Sequence, residues 1–180
     1  MLVFQGLPVF SKFRNQKLLA SAQRIESSIV ALHAEYVHFV DTREKLTAQE
    51  AITLESLLTY GPKAEHPQRI GMLMLVAPRI GTISPWSTKA TNIAHNAGLP
   101  SVRRIERAIA YRLQGITNNG SIEAIQHLFC DRMTEAVLLD MDSAKSLFTA
   151  QNPAQMKSIP LLVDGRAAMQ KANLDLGLAL

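Results

Sequence analysis

The chain has 180 residues, 47% of them hydrophobic and 19% charged, which is enough apolar material for one core at roughly 150 residues per domain and too much for a disordered tail. Nine glycines and eight prolines exclude collagen-like and low-complexity chains, and a single cysteine, Cys130, excludes an internal disulfide framework or a cysteine-built zinc site. Lys and Arg outnumber Asp and Glu by 19 to 15, a net charge of +4, but the cations are scattered. Their densest groups are Arg103, Arg104 and Arg107, broken by Glu106, and Lys12, Arg14 and Lys17, whereas a nucleic-acid face needs charge gathered on one surface.

The first residues are apolar but broken by Gly6 and Pro8, with no positive region ahead of a sustained hydrophobic stretch, so no signal peptide is expected. No segment approaches the run of about 20 apolar residues that spans a bilayer. The lone cysteine suits a reducing cytosol, and the expected location is cytoplasmic, with neither membrane nor nucleic acid as partner.

In chain order, residues 2–5 predict a short strand, and Ser11 stands as the N-cap of a helix over 11–26 with Phe13, Leu18, Ala22 and Ile25 on its buried side. Residues 29–40 alternate as a long half-buried strand, with Val30, Leu32, Ala34, Tyr36 and Val40 inward and His33 and Glu35 outward. Thr47 and Glu50 form a capping box for a helix carrying Ala51, Leu54 and Leu58, stopped by Gly61 and Pro62. Residues 63–69 predict a linker.

The same order then returns: strand 71–76, helix 87–97 ended by Gly98, strand 102–113 and helix 121–133. In the second long strand Ile105, Ile109, Tyr111 and Leu113 face the core and Arg104, Glu106 and Arg112 face away; in the helix after it Ile122, Ile125, Phe129 and Met133 form the buried stripe. A closing strand over 136–139 and a short helix to Phe148 follow. The expected fold is α+β: two strand-helix-strand-helix units, about 1–62 and 70–150, related by a pseudo-twofold and forming an antiparallel sheet with helices packed on it. Beyond Gln151, Asn152, Pro153 and Ser158 predict a connector, 159–163 another strand, and 166–180 an apolar-striped helix whose uncapped end predicts a chain that continues.

No complete catalytic or metal centre is legible. The five histidines are far apart and form no ligand pair, Cys130 sits among apolar neighbours, and Asp140 and Asp142 read as charges that open the helix at Ser143. The most structured loop runs from Ala77 to Lys89, between a buried strand and a helix start. Its candidate residues are Arg79, Thr82, Ser84, Trp86, Ser87 and Lys89, with hydroxyls near a helix N-terminus where Lys89 adds charge, open to two readings, an anion or interface site or merely an N-cap with Trp86 as a lid. The glycine spacing of a phosphate loop is absent.

The strings EYVHFVD, YGP and above all APRIGTISPWSTKATNIAHNAGL followed by VRRIERAIAY resemble one family, the large single-chain phosphoribosylformylglycinamidine synthases, or formylglycinamide ribonucleotide amidotransferases. The resemblance runs from GLPVFSKFRNQKLL to ANLDLGLAL, departing at Ile80, where the family is expected to carry proline, and at Ala97, where cysteine is common. It implies a domain over 1–150 that looks like a fused dimer of the small subunit of the multi-subunit synthase, followed by the start of a linker domain over 151–180.

It further implies a whole enzyme that uses ATP, magnesium and glutamine to convert formylglycinamide ribonucleotide to its amidine in purine biosynthesis, with synthetase and glutaminase domains downstream in the same chain. The N-terminal domain itself is then expected to bind no cofactor and to catalyse nothing alone. Its implied work is to join the other domains and help enclose the ammonia path. A free-standing α+β module binding a small ligand or nucleic acid is the alternative.

Overall fold

A computed structural model of the protein describes residues 1–60, 69–116, 119–150 and 155–178. The predicted helix stop at Gly61 and Pro62, most of the linker, and Asn152 and Pro153 of the connector lie outside the described residues.

The elements are β1 (Leu2–Pro8), α1 (Lys12–Gln23), β2 (Ala31–Thr42), α2 (Ala48–Leu58), β3 (Met72–Pro78), α3 (Pro85–Asn96), β4 (Val102–Gln114), α4 (Asn119–Ile125), β5 (Glu135–Leu138) and α5 (Leu161–Leu176), with 3-10 turns at Gln126–Leu128 and Asp142–Phe148. The five strands form one sheet in the order β1-β2-β4-β3-β5, and every pairing is antiparallel. The protein is therefore α+β, with helices packed on an antiparallel sheet.

The long strands β2 and β4 lie at the centre, paired from Ala31 with Gln114 to Asp41 with Arg104. On one sheet face Leu32, Ala34, Met74, Tyr111 and Leu113 meet Ala22 of α1 and Ile122 and Ile125 of α4. On the same face Val40 and Ile105 meet Leu54 and Leu58 of α2 and Ala94 of α3. Each fully buried Leu, Ile or Val adds about 1.5–3 kcal/mol to the hydrophobic driving force, so these side chains dominate the packing.

The opposite face is not the polar surface that the alternation of β2 and β4 predicts. Val37, Phe39, Leu75, Ala108 and Ala110 are buried there beneath Ala144 and Leu147 of the 3-10 turn Asp142–Phe148. Glu35 and Glu106, expected outward, are buried as well, because Arg69 and Arg104 fold over them. Period-2 reasoning finds one buried face and misses the second when a non-regular segment supplies the cover.

Other boundaries move for local reasons. Phe13 is 75% exposed and Val30 and Ile25 are exposed too, so the buried side of α1 is carried by Ala22 with Leu18 and Leu19. The helix expected to run to Met133 ends at Leu128, where Asp131 accepts the backbone N–H of Met133 and the hydroxyl of Thr134 in a tight turn and leaves Met133 exposed. The strand expected over 159–163 is instead the first turn of α5: Val163 and Asp164 donate backbone N–H to the Pro160 carbonyl. Gly165 kinks the helix at φ 54°. No helix among the described residues is long and apolar enough to cross a membrane.

Candidate functional site

The loop between β3 and α3 is held by named bonds at each step. The Arg79 backbone N–H donates to the Thr134 carbonyl at 2.9 Å, and the Arg79 carbonyl accepts both the N–H and the hydroxyl of Thr82. Ser84 is the N-cap of α3: its Oγ accepts the Ser87 N–H at 3.0 Å, and Pro85 occupies the first turn, where its missing N–H costs nothing.

The same Ser84 hydroxyl donates to Oε2 of Glu106 at 3.0 Å. Glu106, fully buried on β4, receives Arg104 on its other oxygen through both Nε and Nη2, and Arg104 Nη2 reaches on to the Thr82 carbonyl at 2.7 Å. Loop, helix start and central strand thus share one carboxylate. A negative group near a helix N-terminus interacts favourably with the macrodipole, and Glu106 sits one hydrogen bond from the cap of α3.

Farther into α3, Trp86 joins a second cluster on the helix-covered face. The Arg107 guanidinium lies 4.5 Å from the Tyr36 ring centre and 4.7 Å from that of Trp86, stacked between the two faces. Its Nη1 donates to the Tyr60 hydroxyl at 3.1 Å, and that oxygen lies 2.9 Å from Nε2 of His38. Arginine has only donors, so the Tyr60 oxygen accepts from Arg107, and its own O–H is available to the His38 ring. Burial, and secondly the Arg107 charge, push the His38 pKa down to about 4. Gly6 makes room for this: a Cβ there would sit 2.8 Å from Tyr36 Cβ and 3.0 Å from the His38 ring.

Between α2 and α3 runs an apolar groove of about 330 Å³, lined by Leu57, Tyr60, Trp86, Lys89, Ala90 and Ile93 among others. Lys89 is exposed at its side. The six predicted loop residues therefore separate: Arg79, Thr82 and Ser84 belong to the pinned loop, Trp86 and Lys89 to the groove, and Ser87 is buried with its hydroxyl unpaired among the described residues. A larger hollow, about 540 Å³, lies between β1 and the end of α2 and includes Arg69 but none of the loop residues.

Sequence reasoning missed Glu106, Arg104, His38, Tyr60, Tyr36 and Arg107 as members of the site. A signal existed for the first: an acidic residue inside the long apolar strand must be paired if the strand is central. Cys130 behaves as expected of a partly buried thiol, its pKa raised by burial and then by Glu135, and it is a poor nucleophile. Asp140 caps the turn after β5, accepting the N–H and hydroxyl of Ser143.

Fold and site together define an α+β sheet-and-helix domain whose strand-to-helix loop is fixed from inside by a buried carboxylate. Residues 35–148, more than half of the chain and including the loop, both clusters and the groove, match the family described as formylglycinamide ribonucleotide amidotransferase N-terminal. The chain belongs to that family, and its work is part of an amidotransferase of purine biosynthesis.

Proposed function

We propose that this domain couples glutaminase to synthetase within the whole amidotransferase, and that residues 79–91 face the synthetase cleft and help enclose the ammonia path. In that reaction ATP phosphorylates the amide oxygen of formylglycinamide ribonucleotide, and ammonia released from glutamine displaces phosphate to give the amidine. Residues 151–180 then begin the linker toward the synthetase, and the enzyme works in the cytoplasm. ATP and magnesium are assigned to the downstream domains; among the described residues no three metal-ligating side chains come together, and no step through either is given to this domain.

The observation that carries the reading is the fixed loop, held by Glu106 and Arg104 while its outer residues Arg79, Thr82 and Lys89 stay exposed. A rigid, exposed loop is suited to shaping a neighbouring cleft, because its backbone is ordered before the neighbour arrives. Steady-state assays of full-length enzyme test it with Trp86→Ala and Lys89→Ala. A channel or docking contact slows glutamine-driven amidine formation and spares the ammonia-driven reaction; a substrate contact slows both. Wild-type rates in both reactions would reduce the loop to a helix start with no part in coupling.

A further inference from the structure

We propose that the groove between α2 and α3, with Lys89 in its lining and Arg107 stacked on its Trp86 and bonded to its Tyr60, docks a protein segment carrying an aliphatic side chain beside a carboxylate. The proposal deepens the joining role above and rests on it, naming the chemistry of what is joined.

The charges carry the first half. Arg69 binds Glu35 and Arg104 binds Glu106, whereas neither Arg107 nor Lys89 has an ion pair among the described residues. Arg107 is held by its ring faces, and one of its donors goes to the Tyr60 hydroxyl. A guanidinium has five N–H groups in a plane suited to a carboxylate, and stacking fixes that plane without using them all. Lys89 follows Trp86 at helical spacing i,i+3 and borders the same groove.

The walls carry the second half. Leu57 and Ile93 are exposed, Ala90 lines the groove with them, and Tyr60 and Trp86 belong both to the groove and to the cluster around Arg107. Walls of this kind take an aliphatic side chain, and charged bonds at the rim strengthen as water leaves. A free phosphate ester fits less well, since it wants backbone N–H groups at a helix start, and at α3 the Ser87 N–H is already taken by Ser84 Oγ while Pro85 has none to offer.

Trp86 is the chain's single tryptophan, so its emission reports occupancy directly. The probe is a short helical peptide with leucines four residues apart flanked by glutamates, titrated into the 180-residue chain beside a control with glutamines in their place. The expected result is a saturable change in Trp86 emission, with the glutamine peptide about tenfold weaker or worse. Ile93→Glu, on an exposed position that leaves folding intact by circular dichroism, abolishes binding, and Arg107→Gln brings the acidic peptide down to the level of its control.

Absence of a saturable change, equal binding of the two peptides, indifference to Ile93→Glu, or full competition by inorganic phosphate would each overturn the groove proposal. Slowed glutamine-driven turnover in full-length Arg79→Ala, a loop residue outside the groove, would then still stand, so the two readings fail separately.

Discussion

The starts of α2 and α3 solve one problem in two ways. Both helices leave backbone N–H groups unpaired in their first turn. At α2 the answer is local: Thr47 Oγ1 accepts the Glu50 N–H, and the Glu50 side chain returns to the Thr47 N–H at 2.8 Å. At α3 the cap Ser84 donates its hydroxyl hydrogen bond to Glu106, 22 residues away on the central strand, which Arg104 neutralises. A local cap fixes a helix end; a tertiary cap fixes the helix end and the loop before it to the sheet. The tertiary cap belongs to the loop between β3 and α3.

The largest expected effect tests that difference. Glu106→Leu leaves Arg104, 18% exposed, without its carboxylate, and should cost about 3–5 kcal/mol in urea unfolding. Glu35→Leu should cost less, because its partner Arg69 is 40% exposed and can rehydrate. A Glu106 variant no worse than a cap deletion would break the comparison.

His38 packs against Trp86 of α3 and against Tyr60, just beyond α2, and so bears on both helices. Its pKa is depressed in the folded chain, to about 4 from 6.5, so the unfolded chain binds the proton first and stability falls as pH drops through that window. Stability at pH 5 should be about 2 kcal/mol below that at pH 7, with the slope flattened in His38→Phe. A pH-independent unfolding midpoint between 7 and 5 would contradict the buried neutral ring.

Ser84→Ala should cost about 2 kcal/mol, the upper end of the range for caps, because it also strips Glu106 of a donor, against about 1 kcal/mol for Thr47→Ala. Equal losses in the two thermal melts would mean that the Glu106 link adds nothing. Smallest of all, Lys89→Ala should leave stability within about 0.5 kcal/mol, since an exposed cation with no ion pair among the described residues adds little to folding.

What the sequence by itself determined follows from interactions of short range. The capping box at Thr47 and Glu50, the cap at Ser84 with Pro85 behind it, the turn at Gly98 with φ 82°, and the two long strands are all written in windows of a few residues, where capping, backbone freedom and side-chain alternation act. Tertiary structure alone decided which partners those elements meet. The second buried sheet face exists because residues 142–148, without a strong pattern of their own, fold over Val37, Phe39 and Ala110. Arg104, Glu106 and Arg107 look alike in a charged, alternating strand, yet the pleat sends the first two to the loop and the third to Tyr36, Trp86 and Tyr60 on the other side. Whether a charge in such a strand is solvated, paired or stacked depends on residues distant in the chain, and that information enters only when the sheet closes and water leaves.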